Sequence, residues 1–167
     1  TRDNFDDSVP VVADFILISD EFQSSPAPIY VVVEGDVVSE GGKEAVREVI
    51  GVLGQDERVT VVISDLWSTL DSTRGSDSEL SSLMLSVESG EDGAWSDLRE
   101  WLTGTDAGRD VSSGLLSGDG QQTLVSFQAA TLDWSDTNSF ESELSSMLSA
   151  SVSESGFTAD LSGRSLI

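Results

Sequence analysis

Ile29-Tyr30-Val31-Val32-Val33-Glu34-Gly35-Asp36 sets an unbroken apolar row in a chain otherwise crowded with Asp, Glu and Ser. A short continuous apolar run bounded by turn residues reads as a strand buried on both faces. Upstream, Val11, Phe15, Ile18 and Phe22 recur at spacings of four, three and four. This is the stripe of an amphipathic helix over residues 8–23, with Ser8 and Pro10 at its start. Ser24-Ser25-Pro26-Ala27-Pro28 ends it, since proline removes a backbone donor and restricts the residue before it. Downstream, Ala45, Val46, Val49, Ile50 and Leu53 predict a second helix closing at Gly54 in a left-handed cap position. Val59 to Ile63 then reads as the second strand.

The same order recurs. Thr123 to Leu132 reads as a strand, and Phe140, Leu144, Met147, Leu148 and Val152 mark a helix with Asn138 and Glu141 as its capping box. In the last strand Phe157, Ala159 and Leu161 alternate with Thr158, Asp160 and Ser162, the pattern of a half-exposed edge. Two strand-helix-strand units in series predict an α+β fold, ferredoxin-like βαββαβ, with strand one central and strand four at an edge. A single domain then spans 1–167: an N-terminal helix at 8–23, a first unit at 29–63, a helical insertion at 65–121 and a second unit at 122–162. Within the insertion, Leu80, Leu83, Met84 and Val87 form one helical stripe. Trp95, Leu98 and Leu102 form another, with Trp101 off it, and Glu91-Asp92-Gly93 separates the two. Ser117-Gly118-Asp119-Gly120 reads as a tight turn feeding strand three. The insertion is expected to cap the sheet.

Charge changes this picture. Against 31 Asp and Glu stand only 8 Lys and Arg, a net charge of -23, and Lys43 is the sole lysine. Such a surface resembles that of proteins from extreme halophiles. Carboxylates at this density repel one another unless screened, and molar salt shortens the Debye length to about 3 Å. The fold is therefore expected to depend on salt, and nucleic acid is excluded as a partner. With 38% apolar residues in clear periodic patterns, the chain is built to fold rather than to remain disordered. No cysteine is present, so no disulfide or thiolate site exists. No run of 18 or more apolar residues occurs, and the sequence opens on Thr1 rather than Met. It reads as a soluble piece of a membrane protein or as a mature secreted domain.

Candidate chemistry is sparse. Without His or Cys, Ser/His/Asp and Cys/His arrangements and the usual zinc sets are impossible. No G-x-S-x-G elbow, P-loop or G-x-G-x-x-G is found. A phosphate loop after strand one would need glycine and arginine where Glu34-Gly35-Asp36 would repel the anion. Asp133 to Asn138 lacks the alternating ligands and central glycine of a calcium loop and reads as a solvated turn and helix cap. No enzyme, cofactor or metal site is expected. Of Trp67, Trp95, Trp101 and Trp134, core packing is the favoured reading, and Trp67 and Trp101 are the residues that would meet a ligand or partner.

Four segments carry a resemblance: DDSVPVVADFILISDEFQSSPAPIYVVVEGDV, EAVREVIGVLGQDERVTVVISDL, GLLSGDGQQTLVSFQ and ESGFTADLSGRSLI. In order and kind they resemble the exocytoplasmic porter domain of resistance-nodulation-division (RND) superfamily transporters, especially the MMPL-like and hopanoid-exporter-like branch. Ser39-Glu40-Gly41-Gly42-Lys43 departs from the family's usual helix opening, and residues 65–114 match nothing in it. The resemblance implies a non-catalytic extracellular domain of an archaeal exporter held at the cell membrane. Its partners would be the transmembrane helices and the second porter domain of the same transporter, a homo-oligomeric assembly is compatible with it, and its substrates would be hydrophobic or lipid-like. The companion domain would cover the strand at 29–36. The alternative is a free-standing ferredoxin-like ligand-binding module.

Overall fold

A computed structural model describes residues 28–130 and 134–162, so the helix expected over 8–23 lies outside the described residues. The elements run β1 (Ile29–Glu34), α1 (Glu40–Gln55), β2 (Val59–Ser64), α2 (Leu66–Thr73), α3 (Ser78–Glu88), α4 (Ala94–Gly104), α5 (Asp106–Ser112), β3 (Gln122–Ala129), α6 (Trp134–Val152) and β4 (Thr158–Ser162). The fold is mixed α+β, with one four-stranded antiparallel sheet of order β2-β3-β1-β4. β1 lies inside the sheet, and β2 and β4 form its edges.

β1 is not buried on both faces. Ile29, Val31 and Val33 are buried, Val32 is half-buried, and Tyr30 and Glu34 are exposed. The pleat points alternate residues to opposite sides. One side meets Phe127, Val125 and Thr123 of β3 and Ala159 of β4 in register, all of them buried. Helices α1 and α6 pack on each other and on the sheet, supplying Ala45, Val46, Val49 and Leu53 from one and Phe140, Leu144, Leu148 and Val152 from the other. The apolar run therefore reports a central strand whose second face is only partly covered by the described residues.

Local signals set the helix limits. Ser39 caps α1, its hydroxyl accepting from the Gly42 N–H at 2.9 Å and donating to the Asp36 carbonyl at 2.6 Å. Gly42 is required here, because a Cβ would strike the Val37 carbonyl. At the far end α1 continues through Gly54 to Gln55, and Asp56 is the C-terminal cap, donating its N–H to the Leu53 carbonyl. Gly54 is thus helical and not a left-handed cap. β3 ends at Ala129, three residues before Leu132, and residues 131–133 lie outside the described residues. α6 already runs from Trp134, which places Asn138 inside the helix rather than at its cap. Met147 is 41% exposed although it was expected in the stripe. Positions 140, 144, 148 and 152 drift by about 40° per step, whereas 147 sits about 100° from 148.

The insertion holds four helices where two stripes were read. α2 and α5 are short, and both start from side-chain caps: Asp65 accepts from the Ser68 N–H at 3.0 Å, and Thr105 from the Gly108 N–H at 3.0 Å. In α3, Leu80 and Met84 are buried while Leu83 and Val87 are partly so. In α4 the assignment reverses, since Trp101 is buried with Ala94, Leu98 and Leu102 while Trp95 is only half-buried. The insertion docks where β1 leaves the sheet and β3 begins. Arg99 of α4 pairs with Asp36 and donates to the Val38 carbonyl at 3.1 Å, and Leu116 bridges to Thr123. Its apolar side chains merge with those under the sheet into one core. The expected turn at Ser117–Gly120 forms, with Gly120 N–H donating to the Ser117 carbonyl at 2.9 Å.

Candidate functional site: the open face of the sheet

The side chains opposite the helical layer follow from strand register. Tyr30, Val32 and Glu34 of β1 pair with Ser126, Leu124 and Gln122 of β3. On the other flank of β1 they oppose Ser162, Asp160 and Thr158 of β4. β2 adds Val61, opposite Gln128. Register shifts fall between Val59 and Val61 and between Val62 and Ser64, leaving Ile63 without a counterpart. Val61 and Ile63 are each 48% exposed, so the β2 margin presents two branched apolar side chains to water.

Several polar groups on this face are paired with one another or with backbone. The Ser64 and Ser126 hydroxyls share a hydrogen bond of 2.6 Å, and the Gln122 amide donates to the Glu34 carboxylate at 2.5 Å. The Thr60 hydroxyl donates to the Gln128 carbonyl at 3.1 Å, tying down the bulged edge. No Lys or Arg occurs in any of the four strands. The face is therefore apolar at its centre and β2 margin and weakly acidic at Glu34 and Asp160. It can hold an apolar surface and offers nothing to an anion.

Trp67 and Trp101 lie elsewhere. They are 6% and 3% exposed and belong to the common core. Trp67 packs edge-to-face on Trp95 at 5.7 Å, with the Lys43 ammonium 5.7 Å from its ring centre. Both indole N–H groups are buried without a partner among the described residues. Trp101 also lines a groove of about 280 Å³ between α3 and α4, whose walls include Glu79, Asp97 and Glu100. Three carboxylates at its rim make it unsuited to anions.

The strongest electrostatic cluster is structural. The Arg58 guanidinium forks onto Asp56 at 2.8 and 2.9 Å, reaches Glu143 of α6 at 2.9 Å, and lies 4.9 Å from the Phe140 ring centre. The Arg58 hydrogen bond holds the Asp56 carboxyl below the usual carboxylate range despite burial. In the turn before β3, the Ser117 hydroxyl and then the Gln121 N–H lower Asp119 in the same way. Both clusters fix backbone and leave no group poised for acid–base work. Among the described residues, no three His, Cys, Asp or Glu side chains are placed to hold a metal ion. No described helix is long and apolar enough to cross a membrane.

Sequence reasoning named strand two but not its outward residues. The signal was present: VTVVIS carries no charge in an otherwise acidic chain, and its branched residues exceed what one buried face can take. Comparison with known protein families, characterised proteins and solved structures finds no match to this chain.

Proposed function

We propose that this is a non-catalytic, extracellular porter-type domain of an RND-superfamily exporter, with a ferredoxin-like βαββαβ frame, forming part of the route for hydrophobic or lipid-like substrates. The carrying observation is that the start of β1 and the end of β4 are paired neighbours, Tyr30 opposite Ser162. Polypeptide thus reaches and leaves the sheet at one end on adjacent strands, the geometry demanded of a loop strung between two membrane spans. The order β2-β3-β1-β4, with α1 and α6 linking strands on one face, supports the ferredoxin-like frame. The apolar open face supports a partner, and the β2 margin at Val61 and Ile63 is where the companion domain engages.

The complete gene tests this reading. Apolar segments of about 20 residues should flank the domain on both sides, and their absence overturns it. In the intact transporter, Val61→Asp with Ile63→Asp should abolish export while leaving the amount of protein in the membrane unchanged.

A further inference from the structure

Asp-Gly steps are chemically weak joints in a polypeptide, because glycine has no Cβ to keep its backbone nitrogen away from the preceding side-chain carboxyl. The chain holds two: Asp92-Gly93 in the turn between α3 and α4, and Asp119-Gly120 in the turn before β3. We propose that Asp92 is a modification site that converts spontaneously to isoaspartate, while the fold protects Asp119 from the same reaction. This goes beyond the exporter reading and does not depend on it.

In this reaction the Gly93 backbone nitrogen attacks Cγ of Asp92, and its proton leaves with the carboxyl hydroxyl as water. The product is a cyclic succinimide. Water then adds to either ring carbonyl: opening at the side-chain carbonyl restores aspartate, and opening at the main-chain carbonyl leaves the backbone running through Cβ and Cγ. Mass and redox state are unchanged, and water is the sole co-reactant.

Three differences separate the two steps. The Asp92 carboxylate is exposed and has no hydrogen bond or ion pair among the described residues, whereas Asp119 accepts from the Ser117 hydroxyl at 2.6 Å and from the Gln121 N–H at 3.0 Å. Those two bonds keep Asp119 ionised to lower pH, and cyclisation draws on the neutral carboxyl. The Gly93 N–H has no acceptor among the described residues, whereas the Gly120 N–H donates to the Ser117 carbonyl at 2.9 Å. A Cβ at Gly93 would meet nothing within 4 Å, whereas at Gly120 it would meet Arg99 and Thr103 at 3.6 and 3.7 Å, so the first glycine has room to move and the second does not. Isoaspartate at 92 adds a methylene to the main chain directly before Gly93, the left-handed residue that opens α4 and accepts the Asp97 N–H at 2.9 Å. The change thereby loosens the start of α4, which seats Trp95 against Trp67.

Peptide mapping of the folded protein, after weeks of warm incubation in molar KCl near neutral pH, tests this. The peptide holding Asp92-Gly93 should split into chromatographic peaks of equal mass several-fold faster than the peptide holding Asp119-Gly120, and Asp92→Glu should abolish the split. In denaturant the two rates should draw level. In the folded protein Ser117→Ala should raise the slower rate several-fold. No splitting at Asp92, equal rates in the folded protein, or no rise in Ser117→Ala would each overturn the proposal. So would a rate difference that persists in denaturant, since neighbouring residues rather than the fold would then set it.

Discussion

The sheet with its two long helices and the insertion between its halves solve the same packing problem by different means. In the sheet unit, long apolar stripes and a four-stranded ladder organise the core. The insertion has helices of 7 to 11 residues, too short to be stable alone, and starts them with side-chain caps and a left-handed glycine at position 93. Leu66, Leu70, Leu98 and Leu102 are nevertheless as deeply buried as Leu53, Leu144 and Leu148. The difference teaches that the insertion is held by tertiary burial and not by local propensity, so it should stand or fall with the sheet.

The sharpest way to break that comparison is salt. Lowering KCl from molar to millimolar concentration should strongly lower the melting temperature, with both regions lost in one transition, followed by circular dichroism and tryptophan fluorescence. An unchanged melting point would show that the net charge of -23 needs no screening. Next in size, Leu98→Ala in the insertion and Leu144→Ala under the sheet should each cost about 2–5 kcal/mol in denaturant titrations. An early, separate transition for Leu98→Ala would divide the domain in two.

Glycines sharpen the contrast. Gly108 at the start of α5 faces the Trp101 carbonyl so closely that Gly108→Ala should destabilise by about 1–3 kcal/mol. Gly54 in α1 has open space around it, and Gly54→Ala should instead stabilise by about 0.4–1 kcal/mol. The smallest effect is pH-linked. Asp56 has its folded-state pKa depressed, so its contribution is present above the ordinary aspartate pKa of 3.8 and fades as pH falls below it. Asp56→Asn should flatten that acid limb of the stability profile relative to the unsubstituted protein.

Much of the sheet unit was legible. Apolar runs, one alternating stretch and period-four stripes located all four strands and both long helices, because burial writes itself into the placing of apolar residues. What misled was context. The run at β1 was read as two-faced burial, although central position alone allows apolar residues on a face the described residues leave partly open. The insertion was half legible: α2 was hidden because Leu66, Trp67 and Leu70 make less than one heptad, and α5 because its buried positions are Gly108 and Ser112. Glycine and serine leave no hydrophobic trace even where packing is tightest. Trp101 was placed off the stripe that it completes with Leu98 and Leu102 because the stripe was drawn through Trp95, and the outward pair Val61 and Ile63 was hidden by bulges that no periodicity announces.

The perpendicular indoles of Trp67 and Trp95, 81° apart, sit on α2 and α4, with Lys43 of α1 beside the first ring. Indoles held in one fixed packing give near-ultraviolet dichroism, which makes that band a gauge of how these helices are seated. Loss of that packing would fade the band together with the backbone signal if the two regions unfold as one, so the two wavelengths test the coupling directly.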